Sequence, residues 1–216
     1  MKLSVADFRE RLEAGTLRIS FIGMSNIGKS HTARRLRISH GFTLYEVDEA
    51  IQHELGLKTM QESADWMGFP YAPNYAAREA EYLALESRLT SAALDGEPQN
   101  LILDTTGSVI YADDSTLDAL KAQTLIIHIR AEAKDLARLE KLYFRAPKPL
   151  IWAGQYSEDA GQSQKQALKA CYPSLLESRM DAYDALADIG LSTSLLQERA
   201  TTPQDIISAI EDALVK

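Results

Sequence analysis

Leu17-Arg18-Ile19-Ser20-Phe21-Ile22 runs straight into Gly23-Met24-Ser25-Asn26-Ile27-Gly28-Lys29-Ser30. The first six residues alternate and then turn apolar, the pattern of a buried strand. The next eight fit G-x-x-x-x-G-K-[ST], and each fixed position has a chemical reason. Gly23 and Gly28 let the backbone curl, so that the amides of Met24, Ser25, Asn26 and Ile27 converge on phosphate oxygens. Lys29 brings a cation to the β- and γ-phosphates, and Ser30 offers a hydroxyl to Mg²⁺. A helix over 29–39 would aim its positive end at the same phosphates. A strand before the loop and a helix after it make an incidental Gly-bearing turn a poor alternative.

Working outward, strands are expected at 17–22, 42–47, 100–104, 124–129 and 189–194. Helices are expected at 4–14, 29–39, 49–55, 75–94, 132–143, 164–187 (interrupted near Pro173) and 203–215, with Pro203 at a first helical position. In the helix at 75–94 the buried side is read as Leu83, Leu85, Leu89, Ala92 and Ala93. Residues 146–161 carry Pro147 and Pro149 and read as a lid, spanning about 145–162. Helices between the central strands require crossovers, hence a mainly parallel sheet covered on both faces. No repeat and no convincing domain boundary appears, so 1–216 is read as one domain.

The 216 residues hold 23 Lys+Arg and 31 Asp+Glu, a net charge of -8, which disfavours a broadly basic nucleic-acid surface. With 45% apolar and 25% charged residues the composition is that of a folded globular chain. Cys171 is the single cysteine, which excludes an intrachain disulfide and a cysteine zinc site. No apolar run approaches a membrane span, and the start of the chain becomes charged too early for a signal peptide. A cytoplasmic protein with no membrane or nucleic-acid partner is expected; protein partners are not indicated.

No Asn-Lys-x-Asp run reads guanine, and the chain is short for a motor or large ATPase, so a small kinase is favoured. Asp104 ends the apolar Leu101-Ile102-Leu103 strand. An acid there orients Mg²⁺ or, more plainly, caps the loop. Thr105-Thr106-Gly107-Ser108 then brings hydroxyls and flexible backbone to the ligand edge. The four histidines, His31, His40, His53 and His128, show no metal-ligand pairing, and His128 reads as a core residue. Trp66, Phe69, Tyr71 and Tyr75 form either an acceptor wall or a local hydrophobic cluster, and Trp152 either a lid anchor or packing.

Across 18–214 these ordered motifs resemble the shikimate kinase family. The resemblance implies a three-layer α/β/α P-loop fold, five parallel strands in the order 2-3-1-4-5, ATP and Mg²⁺ as cofactors, and a small hydroxylated acceptor that can be a carboxylic acid. Glu46-Val47-Asp48 stands where the family has Asp-x-Asp. Asp48 then binds the acceptor hydroxyl and accepts its proton, and Glu46 joins Ser30 and Asp104 near Mg²⁺. Arg78-Glu79-Ala80-Glu81 is similar to the family's Arg-x-x-Glu, and Arg179-Met180-Asp181-Ala182-Tyr183 to its Arg-x-x-x-Tyr; both arginines would grip a carboxylate. Each could instead be a solvated helix arginine. Lys148-Pro149-Leu150 is similar to the lid motif Arg-Pro-Leu, with Arg145 as the other candidate lid cation. By the same analogy Arg138 lies near adenine with Pro203 on its other face, and His31 follows the loop at the nucleotide. Thr106-Gly107-Ser108 replaces a Gly-Gly-Gly, so side chains there would reshape the acceptor pocket. Three readings stay open: a kinase of a small metabolite, a nucleotide or nucleoside kinase, and a non-catalytic ATP-binding regulatory module.

Overall fold

The computed structural model describes residues 3–96, 99–198 and 200–215. Five strands, β1 (Arg18–Ile22), β2 (Thr43–Glu46), β3 (Leu101–Asp104), β4 (Leu125–Arg130) and β5 (Ile189–Ser192), form one parallel sheet in the order β2-β3-β1-β4-β5. All four β3 residues and all but the last of β4 are buried, as a sheet covered on both faces requires.

One layer holds α1 (Val5–Glu13), α2 (Lys29–His40) and α10 (Pro203–Leu214); α2 contacts β1, β2 and β3, while α10 contacts α2 and β5. The opposite layer contains α5 (Tyr75–Leu94), α6 (Asp114–Gln123) and α8 (Gln164–Leu186), with α6 and α8 on β4 and α5 on α6. The other α-helices are α3 (Val47–Glu54), α4 (Met60–Met67), α7 (Ala133–Arg145) and α9 (Thr193–Gln197). Local chemistry sets several boundaries. Ser4 and Asp7 form a reciprocal capping box on α1, Thr202 and Asp205 another on α10, and Pro203 takes the first turn where its missing N–H costs nothing.

Five expectations change. The stretch before Phe69 holds α4, capped by the Thr59 hydroxyl, and the crossover between β3 and β4 is α6, capped by Asp113. Both are short helices whose caps were readable but whose apolar faces are narrow. The inner face of α5 is Tyr75, Tyr82, Glu86, Ser87, Leu89, Thr90 and Leu94, whereas Ala92 is exposed and Leu83 and Leu85 are only half-buried. Burial there follows polar partners rather than hydrophobicity. Helix α8 continues through Pro173, because Ala167, Leu168 and Tyr172 before it and Leu175, Leu176 and Arg179 after it are all buried, and packing outweighs one lost backbone bond. Finally, β5 stops at Ser192, whose hydroxyl caps α9.

Candidate active site

The register places the site. Phe21 pairs with Asp104, and Glu46 pairs with Asp104 on its other side, so the carboxyl ends of β1, β2 and β3 bring Gly23, Asp104 and Glu46 to one edge. β1 is also where strand order reverses, β3 lying on one side and β4 on the other, which opens a crevice for a ligand.

The phosphate loop is shaped by backbone. Gly23 has φ 138°, and a Cβ there would sit 2.9 Å from the Ile129 carbonyl oxygen, so only glycine fits. Gly28 (φ 118°) and Asn26 (φ 63°) also take the left-handed region. Met24 and Ile27 bury their side chains, leaving their main chain for the loop. Buried Lys29 donates to the Gly23 oxygen at 2.9 Å and the Met24 oxygen at 3.2 Å, two of an ammonium's three donors. Burial lowers its pKa, opposed by the charges of Asp104 and Asp48.

One cleft is lined by Ser30, Glu46, Asp48, Asp104 and Lys148, together with Arg34, Gln52, His53 and Lys58. Asp104 is buried. Its Oδ1 has no partner, and burial pushes its pKa up to about 6, opposed by the nearby Lys29 charge and Ser30 hydroxyl. Glu46 is engaged by Arg34 at 2.7 Å. Asp48 accepts the Tyr82 hydroxyl at 3.0 Å. Lys148 also lines a second pocket beside Met24, Ser25 and Asn26, and its charge is felt at Lys29. Arg145 is exposed at the end of α7 and lines neither space.

Behind the loop a third cleft is lined by Asn26, Ile27, Gly28, His31, Arg138, Leu196, Gln197 and Glu198. Arg138 donates to the Asn26 oxygen at 3.2 Å and to Asp135 at 3.1 Å, so it braces the phosphate loop. Pro203 opens α10 and is not part of that lining; the end of α9 takes its place.

The acceptor-side residues are arranged differently from the expectation. Buried Arg179 spends Nη1 on the Gly107 oxygen at 2.9 Å and Nη2 on the Ile151 oxygen at 2.5 Å, lies over the Tyr111 ring, and leaves Nε unpartnered. Arg78 sits over Trp66, 5.8 Å from the ring centre. Thr106 and Ser108 turn their hydroxyls inward to the fully buried Glu86. Glu86 and Tyr82 escaped the sequence reading. Their signal was the four-residue spacing Arg78, Tyr82, Glu86, Thr90, which puts all four on one face of α5.

Segment 146–163 has no helix or strand, but its middle is tied down. Leu150, Ile151 and Trp152 are buried, and one Glu79 oxygen accepts from the Trp152 and Ala153 amides and from Tyr75, whose hydroxyl lies 2.8 Å from the Leu150 oxygen. Trp152 thus anchors the segment and packs edge-on against Tyr143 and Tyr156. Phe69 and Tyr71 stack on each other, forming a local cluster with Tyr156. His128 is a core residue whose Nδ1 pairs with Asp184 at 2.8 Å. Half-buried Cys171 packs against the core, with Ser157 as its hydrogen-bonding neighbour.

Among the described residues, no helix is long and apolar enough to cross a membrane. No protein-family profile matches the chain, and no curated protein matches it in sequence. Solved structures do. Shikimate kinase from Acinetobacter baumannii, in complex with shikimate, superposes with a TM-score of 0.63 at 17% identity over 95% of this chain and 97% of that one. Shikimate kinase from Bacteroides thetaiotaomicron gives 0.62 at 15% identity over 93% and 99%. That from Aquifex aeolicus gives 0.58 at 20% over 92% and 96%. The chain has the three-layer fold of the P-loop kinases, and shikimate kinases are among its structural neighbours.

Proposed function

We propose that this chain is an ATP-dependent kinase that moves the γ-phosphoryl group to a hydroxyl of a small metabolite. The observation that carries the reading is the single cleft shared by Ser30, Glu46, Asp48, Asp104 and Lys148, opening beside the phosphate loop. A phosphoryl acceptor, a cation site and a mobile positive charge are the parts that phosphoryl transfer needs in one place.

The residues fit the implied groups. Asp104 Oδ1 is a buried acceptor without a partner, next to the Ser30 hydroxyl. One buried carboxylate oxygen beside a hydroxyl is the kind of donor set Mg²⁺ uses when phosphates and water supply its other ligands. Ser30 and Asp104 would hold the ion, with Glu46 beside them; when bound it neutralises phosphate charge and orients the terminal group. Lys29 offers its third N–H to the phosphates, in a site dry enough to strengthen the contact. Tyr82 occupies Oδ1 of Asp48, leaving Oδ2 to take the proton of an acceptor alcohol. Lys148, preceding the anchored Leu150, is the cation that closes on the transferring group, so movement is confined to the stretch around Lys148 and Pro149.

For the acceptor we favour a hydroxylated acid, shikimate first. Arg78 has no carboxylate partner among the described residues, so its guanidinium is a cation left for an acceptor carboxylate. The test is ADP release from Mg²⁺–ATP by purified protein with shikimate, gluconate or deoxyadenosine. Stimulation by shikimate that is lost in Arg78→Ala supports the acid. Stimulation by deoxyadenosine alone moves the reading to a nucleoside kinase. ATP binding without stimulation by any of them or by a small-molecule cell extract overturns it in favour of a regulatory module.

A further inference from the structure

Under the acceptor-side loop lies an acid with no role in the mechanism above. Glu86 is fully buried, and among the described residues no cation pairs with it. Thr106 donates its hydroxyl to Glu86 Oε1, Ser108 donates to Oε2 at 2.6 Å, and the Ser108 amide donates to Thr106 Oγ1 at 2.9 Å. On the other side, the carbonyl of Gly107 accepts from Arg179 at 2.9 Å and from the Tyr183 hydroxyl. Gly107 itself presses on the phosphate loop: a Cβ there would lie 2.8 Å from Ser25 Oγ and 3.1 Å from Ser25 N. Loop 105–108 is therefore gripped between an anion and a cation while it touches the nucleotide side.

An unpaired buried carboxylate is a costly way to satisfy two hydroxyls. Glutamine has the same shape and no charge to desolvate, and Thr and Ser hydroxyls can both donate and accept. A buried charge without a cation partner breaks a local rule in the way that functional sites do. We propose that Glu86 is a positioning residue, whose ionised carboxylate sets Thr106, Gly107 and Ser108 in the shape against which the phosphoryl acceptor docks. The proposal rests on the kinase reading.

The charged and titratable groups facing Glu86 are Asp48 from α3, Tyr82 from α5, Arg179 and Tyr183 from α8, and Lys29 from α2. Burial pushes the Glu86 carboxyl up to about 7. The Ser108 and Thr106 hydrogen bonds work against this, the Asp48 charge adds to it, and the Arg179 charge subtracts. Since the folded pKa lies above the ordinary 4.5, the stability it lends is complete below about 4.5 and lost as pH rises through about 7. The grip on both hydroxyls has the opposite dependence and is complete only above about 7.

The experiment compares wild type with Glu86→Gln and Ser108→Ala, measuring Tm at pH 6 and 8 and KM for ATP and for shikimate, gluconate and deoxyadenosine. Glu86→Gln is expected to raise Tm at pH 8 by roughly 3–8 °C. It should also raise the acceptor KM about three- to tenfold and leave KM for ATP within about twofold. Wild-type acceptor KM should worsen from pH 8 to 6, while that of Glu86→Gln stays flat. Ser108→Ala should raise acceptor KM likewise but lower Tm at pH 8. A Glu86→Gln protein that is less stable at pH 8, or whose acceptor KM and pH profile match wild type, overturns the proposal and leaves the kinase reading intact. A wild type that phosphorylates none of the three compounds and nothing in a small-molecule cell extract overturns both.

Discussion

Around residues 23–30 the surface offered to a ligand is backbone; around Asp48, Arg78 and 105–108 it is made of side chains that depend on one another. On the nucleotide side, Gly23 and Gly28 are fixed by their own φ values and by the Ile129 carbonyl, and the strand-to-helix geometry does the rest. On the acceptor side, Asp48 is held by Tyr82, the 105–108 loop by Glu86 and Arg179, and Trp152 by Glu79. A backbone-built half tolerates drift in sequence as long as a few positions persist. A side-chain-built half can change its ligand by exchanging partners within the same frame. This suits a chain that shares its fold with shikimate kinases at only 15–20% identity.

The largest effect should come from Lys29. Lys29→Ala is expected to lower kcat/KM by about 10³-fold with Tm little changed, because the cation serves the transferring phosphoryl group rather than the core. A steady-state assay with a melting curve checks both, and near-normal turnover would break the division. Next, Asp104→Asn should raise the Mg²⁺ concentration for half-maximal activity about 10- to 100-fold, read from a Mg²⁺ titration at saturating ATP. A pair of arginines then sharpens the contrast within the acceptor half. Arg179→Ala removes the donors to Gly107 and Ile151 and should cost about 3 kcal/mol, visible in urea unfolding. Arg78→Ala should cost no more than ~1 kcal/mol, the worth of a half-buried cation–aromatic contact, while raising acceptor KM. Equal losses of stability would mean the two arginines share one role. The smallest effect is expected for Tyr82→Phe, which removes one hydrogen bond to Asp48 and should lower kcat about three- to tenfold with KM for ATP unchanged.

The contrast also explains what could be read in advance. The strand, loop and helix from Leu17 onward were legible because the backbone requires glycine at set positions and the hydrophobic pattern requires both faces covered. The strand order followed from resemblance, and Phe21, Asp104 and Glu46 meet in the sheet as that order demands. What was not legible depends on partners distant in sequence. The four-residue spacing sets Glu86 on one face of α5 with Tyr82, but the hydroxyls that satisfy it in the interior lie 20 and 22 residues away. Arg179 looked like a free cation because the carbonyls that occupy it belong to Gly107 and Ile151, 72 and 28 residues away. Pro173 looked like a break because the packing that carries α8 past it is tertiary.

The central claim is that the two halves act together to transfer a phosphoryl group. The most direct measurement is ³¹P NMR of purified protein with Mg²⁺–ATP and shikimate, repeated with a small-molecule cell extract as the acceptor source. The account predicts a new phosphomonoester signal growing in step with ADP and absent in Lys29→Ala. Inorganic phosphate as the only product, or ATP left intact in both mixtures, would contradict it.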